Sequence, residues 1–158
     1  MPKPIAIVSG EPNSISSEII FKAWKLRKKF KLKQIIVVGN INLLNLQKKK
    51  LNFPIKIKEI NKNFSNNDLK GNHLPILNIK YIQKKPFQRI SSSSNKYIFN
   101  CFDAALKLIN KKKILGLINC PISKEFLFKN KNQGITEFLA QKAKIKNKEV
   151  MLIFNKKL

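Results

Sequence analysis

The sequence is poor in the residues that most readily build a catalytic or structural centre alone. One histidine, His73, stands in 158 residues, so no multi-histidine metal site can form within the chain. Two cysteines, Cys101 and Cys120, are too few for the disulfide lattice of a small secreted domain, and they are not spaced as a metal-binding CxxC pair. Reduced, buried thiols are the expectation. The glycines number five, and none belongs to a GxGxxG or Walker loop. No apolar run approaches the about 20 residues that cross a bilayer. The short run Ile5-Ala6-Ile7-Val8 gives way at once to Ser9-Gly10-Glu11-Pro12, so no signal-peptide core forms. Together these absences lead to the expectation of a cytoplasmic protein.

Acidic residues are scarce as well: 8 Asp+Glu stand against 33 Lys+Arg, a formal net charge of +25. Such a balance raises the question of a nucleic-acid-binding module, because clustered cations gain affinity by releasing counterions from phosphates. The distribution argues against it. All the basic residues except Arg27 and Arg89 are lysines, which lack the bidentate fork that reads bases and phosphates. They are scattered, with short runs only at Lys28-Lys29, Lys48-Lys49-Lys50 and Lys111-Lys112-Lys113, and no RNA-recognition, zinc-finger or GXXG motif accompanies them. Lys, Asn and Ile, all abundant here, share A/T-rich codons, so a compositional bias of the genome produces the same basicity. The charge reads as solvated surface.

What is present suits one folded domain. Hydrophobic residues make up 43% and include 11 Phe, enough for a sizeable core. Short β-branched runs alternate with segments of helical spacing. Strands are expected at 5–8 and 34–38, helices at 18–30 and 42–50, and Pro54 to Ile60 alternates as an edge strand does. A polar loop is expected over 61–72 and a short strand over 76–79. Ser91-Ser92-Ser93-Ser94-Asn95 offers an N-cap for a helix over 96–110, followed by a strand over 114–118. A short helix near Ser123, a helix over 136–144 and a strand over 149–154 complete the chain. Strand, helix, strand, helix is the rhythm of a parallel α/β sheet.

Three segments could carry chemistry. Ser9 to Glu18 leaves the carboxyl end of the first strand, where α/β sheets place ligand loops and a helix start can hold a phosphate. Asn119-Cys120-Pro121-Ile122-Ser123-Lys124-Glu125 leaves another strand, and Lys124 is suited to meet an anionic substrate or to be one surface lysine among many. In Gly134-Ile135-Thr136-Glu137-Phe138-Leu139-Ala140, Thr136 could serve simply as an N-cap, a role worth about 1 kcal/mol. His73 in its polar surroundings reads as solvated.

In this order the three segments resemble the 4-hydroxythreonine-4-phosphate dehydrogenase family of pyridoxal phosphate biosynthesis. The first keeps Ile7, Gly10, Glu11, Pro12, Ile15 and Glu18 of the family's opening motif. The second keeps Pro121, Ile122, Lys124 and Glu125, and the third keeps Gly134, Thr136, Glu137, Phe138, Leu139 and Ala140, followed by Met151-Leu152. Asn13, Ser14, Ser16 and Ser17 depart from the first motif. Ile135 stands where the family has a substrate-contacting histidine, and its side chain can neither hydrogen-bond nor exchange a proton.

The resemblance implies a three-layer αβα fold similar to isocitrate and isopropylmalate dehydrogenases, and a chain, 1–158, that corresponds to the N-terminal part of such an enzyme with the second half absent. It implies NAD-dependent oxidation of 4-hydroxythreonine 4-phosphate, with decarboxylation, in a homodimer that also uses a divalent metal cation. The substrate-binding position carried over is Thr136, with Ile135 at the histidine position and Lys124 beside it, and no catalytic residue is assigned. The family's metal-binding histidines and nicotinamide site fall beyond the segment matching Leu158, so the chain alone is expected to show little activity. The alternatives are a related dehydrogenase of a phosphorylated four-carbon sugar acid, the basic nucleic-acid-binding module, and a non-catalytic remnant that pairs with a second polypeptide through an edge left at Phe154.

Overall fold

The computed structural model describes residues 3–32, 34–129, 134–145 and 150. Five strands form one parallel sheet: β1 (Ile5–Val8), β2 (Ile35–Gly39), β3 (Lys56–Ile60), β4 (His73–Asn78) and β5 (Gly116–Asn119), in the spatial order β3-β4-β2-β1-β5. Helices α1 (Ser16–Leu26) and α2 (Ile41–Lys50) lie on one face. Helices α3 (Asn95–Asn110), α4 (Lys124–Phe128) and α5 (Ile135–Lys142) lie on the other. This is the expected α/β architecture with helices on both faces.

The alternation of strand side chains explains the two cores. Ala6, Val8, Ile36 and Val38 face α3, where they meet Ile98, Cys101, Phe102, Ala105 and Leu108. Those five α3 positions recur at helical spacing, which is why 95–110 folds as a helix with one apolar stripe. Ile7, Ile35 and Val37 point the other way, onto Ile20, Phe21 and Trp24 of α1 and Leu44 of α2. Central parallel strands are buried on both faces, so they read as continuous apolar runs. Each such Ile, Leu or Phe contributes roughly 1.5–3 kcal/mol by leaving water.

The alternating strand β3 lies at the sheet edge, as its pattern implied, with Lys56, Lys58 and Glu59 exposed. Several boundaries move. Helix α1 begins two residues before Glu18 and ends at Leu26, short of Phe30. The loop at 61–72 holds a 3-10 turn over Asn66–Leu69. Strand β4 starts at His73 and runs through Pro75. Ile79 donates to the Gly39 carbonyl, so by period-two alternation Pro75 also faces β2, just before the pairing with β2 begins at Ile76, and its missing N–H breaks no ladder bond. His73 is therefore the half-buried first residue of a strand, its Nε2 3.2 Å from the Asp68 carbonyl oxygen, and is not a solvated loop residue. Strand β5 begins two residues later than the strand expected over 114–118 and ends at Asn119. The strand expected at 149–154 lies outside the described residues, apart from Val150. No described helix is long and apolar enough to cross a membrane.

Candidate functional site

The loops leaving the carboxyl ends of β1, β2, β4 and β5 converge at one end of the sheet. Connections leave β1 toward β2 on one side, while the α3 crossover carries the chain past β1 to β5 on the other. The junction between the β1 turn and the β5 loop is thus the point where the winding reverses, the place open α/β sheets use for ligands.

That junction is closely packed. Gly10 has φ +69°, a left-handed conformation that a side chain disfavours, and a Cβ there would collide with the carbonyl oxygens of Pro121 and Cys120. The Glu11 N–H donates to the Pro121 carbonyl at 2.9 Å, and Ser16 Oγ donates to the same oxygen at 3.4 Å. Two segments 110 residues apart in the sequence therefore form one unit.

Glu11 lies at its centre with 1% of its surface exposed. Its Oε1 accepts from the Asn13 N–H at 3.1 Å and its Oε2 from Ser94 Oγ at 2.9 Å. Neither of the two ion pairs among the described residues involves it: Lys22 pairs with Glu18 and Lys142 with Asp103. In a chain of charge +25, the buried carboxylate at the site is held by neutral donors alone. Its charge reaches Tyr81, whose phenol is pushed above its ordinary range first by burial and then by Glu11. Tyr81 stacks on Tyr97 with ring centroids 4.5 Å apart.

Tyr97 bridges three segments. Its hydroxyl lies 2.9 Å from Ser9 Oγ and accepts from the Asn40 N–H at 2.9 Å, and burial drives its pKa well up. Asn40 in turn caps α2, its Oδ1 accepting from the Leu43 N–H at 2.9 Å. Gln47 donates to the carbonyls of Pro12 and Pro86 at 2.6 and 2.9 Å, and Asn13 Oδ1 accepts from Gln83 and from the Gln88 N–H, so the segment 81–88 is laced to the β1 turn. Ser94 sits at the N-cap of α3, as the serine run suggested, but its hydroxyl serves Glu11 and the Ser91 carbonyl and not the helix. The cavity enclosed by Ser9, Glu11, Ser17 and Tyr97 measures about 10 Å³, room for one water at most.

The residues singled out from the sequence lie around this unit. Lys124 is exposed at the first position of α4, directly after the β5 loop. Helix α4 is tied to α3 by Asn95 Nδ2, which donates to the Phe126 carbonyl at 2.7 Å. Thr136 is half-buried at the second position of α5. The N-cap is Gly134, so Thr136 is not the cap its sequence context suggested. Ile135 packs against the α3 core, and Phe138 meets Phe102 at 5.6 Å and Phe128 at 5.7 Å between centroids, which docks α5 on α3 and α4. Among the described residues, neither Lys124 nor Thr136 has a side-chain hydrogen bond or ion pair.

The metal and nicotinamide cofactor implied by the resemblance do not fit the described residues. No three His, Cys, Asp or Glu side chains gather there, and His73 lies at the amino end of β4, away from these loops. Carbonyl oxygens fill the space over Gly10, where a dinucleotide phosphate would need donors. Tyr97, Gln47 and Tyr81 carried no signal in the sequence, and Ser94 read only as part of a capping run, because nothing local to them shows that they meet the β1 turn. Glu11 was visible within its motif, but its burial was not.

Comparison with known proteins agrees with the fold. A family profile described as the pyridoxal phosphate biosynthetic protein PdxA matches residues 31–158. A 4-hydroxythreonine-4-phosphate dehydrogenase of Caulobacter vibrioides is 28% identical over 145 residues, covering 88% of this chain and 41% of the relative. An Oceanobacillus iheyensis protein provisionally named D-threonate 4-phosphate dehydrogenase is 25% identical over 154 residues, covering 95% and 46%. The crystal structure of a 4-hydroxythreonine-4-phosphate dehydrogenase from Burkholderia phymatum superposes with a TM-score of 0.77 at 20% identity, covering 89% of this chain and 43% of that one, and shows the same fold. The chain spans less than half the length of the curated relatives it matches. With the profile match covering most of its residues, the chain belongs to the PdxA family of pyridoxal phosphate biosynthetic proteins.

Proposed function

We propose that this chain supplies the substrate-side N-terminal part of a cytoplasmic 4-hydroxythreonine-4-phosphate dehydrogenase, an NAD- and metal-dependent homodimer when whole. The observation that carries the reading is the contact of Gly10 and Glu11 with Pro121, which unites two of the three family segments at the winding reversal of the sheet. In this reading Lys124 meets the anionic end of a small phosphorylated substrate and Thr136 hydrogen-bonds it from the first turn of α5. Ile135 contributes only an apolar wall, because it can exchange no proton. Oxidation itself needs groups that the described residues do not provide.

Calorimetric titration of the purified chain with 4-hydroxythreonine 4-phosphate tests this. Lys124→Met is expected to weaken binding about 10- to 100-fold, as loss of a charge-assisted hydrogen bond does, and Thr136→Val by a smaller factor. NADH fluorescence should show no turnover by the chain alone. Unchanged affinity in both variants, or NAD reduction by the chain alone, would refute the reading.

A second reading rests on Ile135 and on the Oceanobacillus relative: the substrate is a phosphorylated four-carbon sugar acid. Tighter binding of D-threonate 4-phosphate than of 4-hydroxythreonine 4-phosphate in the same titration would favour it.

A further inference from the structure

The two crossovers on the α3 face of the sheet are unequal. Between β4 and β5 the chain forms the 16-residue helix α3, whereas between β3 and β4 it forms only the 3-10 turn Asn66–Leu69. Phe64 and Leu69 of that short connection join the α3 core. A turn fills less of the layer than a helix does, and a hollow of about 530 Å³ remains beside α3. Leu77 and Ile79 from the end of β4, with Ala104 and Leu108 of α3, give it an apolar wall. Its volume lies within the roughly 300–1,000 Å³ of small-molecule sites.

Four lysines reach the same hollow from three segments: Lys62 after β3, Lys80 after β4, and Lys107 and Lys111 at the carboxyl end of α3. All four are exposed, and neither of the two ion pairs among the described residues involves them. Asp103 is the one acidic residue in the lining, and Lys142 of α5 already pairs with it at 3.0 Å. Glu59 lines a neighbouring hollow that shares Lys62, Leu77 and Asn78 with this one. Even with Glu59 included, the four lysines face a single carboxylate outside the two ion pairs. Cations are favoured at the carboxyl end of a helix, which accounts for Lys107 and Lys111. Nothing local accounts for Lys62 and Lys80, which add to the repulsion. An anion seated among the four turns that repulsion into attraction, and the apolar wall focuses their field on it.

We propose that this hollow is a second ligand site and that it takes a small organic phosphate. The phosphate lies among the ammonium groups of Lys62, Lys80, Lys107 and Lys111, and the organic part lies on Leu77, Ile79 and Ala104. The lining sets that class from both sides. Inorganic phosphate would leave the apolar wall bare, and a neutral apolar molecule would leave four cations unmatched. The site is separate from the one around the β1 junction, because none of Gly10, Glu11, Lys124 and Thr136 belongs to the lining.

The test is titration of the isotope-labelled chain with phenyl phosphate, inorganic phosphate and benzyl alcohol, read by amide chemical shifts. Phenyl phosphate is expected to shift the amides of 77–80 and 100–111 saturably. It should bind about 10-fold tighter than inorganic phosphate, as burial of part of an aromatic ring allows, and benzyl alcohol should not bind. Lys62→Ala combined with Lys107→Ala should weaken phenyl phosphate binding about 10-fold or more, through loss of two charge-assisted contacts. Lys49→Ala combined with Lys50→Ala removes the same charge from α2, outside the hollow, and should leave binding unchanged, as should Lys124→Met. All the substituted lysines are exposed, and the amide spectrum of each variant confirms that it is folded. The proposal is overturned by absence of saturable shifts, by shifts spread over the lysines at large, or by equal weakening in the α2 variant. It is also overturned if inorganic phosphate binds as tightly as phenyl phosphate, or if Lys124→Met abolishes binding, which would place the ligand at the β5 loop.

Discussion

Replacing Gly10 by alanine tests whether the junction between the β1 turn and the β5 loop holds the fold together. Two costs are expected. The backbone at Gly10, with φ +69°, disfavours any side chain by roughly 1–2 kcal/mol. The new methyl would also strike the carbonyls of Pro121 and Cys120, which are backbone atoms and cannot swing aside. The loop must move, and with it goes the 2.9 Å bond from the Glu11 N–H, worth about 1 kcal/mol. The total is about 3 kcal/mol. Gly71→Ala is the matched control: Gly71 also has positive φ, +103°, but a Cβ there would meet only the His73 ring, which can rotate away. Its cost is the conformational 1–2 kcal/mol alone, of order that for any left-handed residue. Urea unfolding of both variants, extrapolated with a shared slope, separates the two. Equal midpoints for Gly10→Ala and Gly71→Ala would refute the claim that the junction is rigid, and with it the grouping of the two segments into one site.

Tyr97→Phe should destabilise the chain by about 2 kcal/mol, because the Ser9 hydroxyl and the Asn40 N–H each lose a buried partner; a variant as stable as the parent in thermal unfolding would show that water replaces the phenol. Alkaline pH should weaken the fold. Burial pushes the Cys101 thiol to about 12 and the Cys120 thiol to about 11, against an ordinary 9.0, so between these values the folded chain keeps protons that the unfolded chain releases. That contribution is whole below about pH 9 and vanishes as the pH rises through the folded values. Cys101→Ala should flatten the fall of melting temperature with pH, and an unchanged slope would assign the alkaline limb to other groups.

The legible part of the fold was the part written in local periodicity. Ile35 to Val38 read as a buried strand because all four side chains are apolar, and β3 read as an edge because Lys56, Lys58 and Glu59 interrupt it. Boundaries moved where a signal was ambiguous: the strand expected over 76–79 starts at His73 and takes in Pro75, whose nitrogen faces β2 before that pairing starts. Of the site, the sequence showed the Gly10-Glu11-Pro12 and Pro121 to Glu125 segments separately. Thr136 looked like a cap because threonine is a favoured capping residue, whereas the helix takes Gly134 as the cap.

By itself, then, the amino-acid order determined the αβ rhythm, the free thiols Cys101 and Cys120, and the family, since each rests on nearby residues or on a linear pattern. The strand order β3-β4-β2-β1-β5, the seating of Glu11 against Ser94, and the gathering of Lys62, Lys80, Lys107 and Lys111 around one hollow were decided only by the tertiary structure. The reason is physical. A side chain's spacing reports which face of its own element is apolar. Which distant backbone supplies its hydrogen bond, or leaves it uncovered, depends on how the whole chain closes around the sheet.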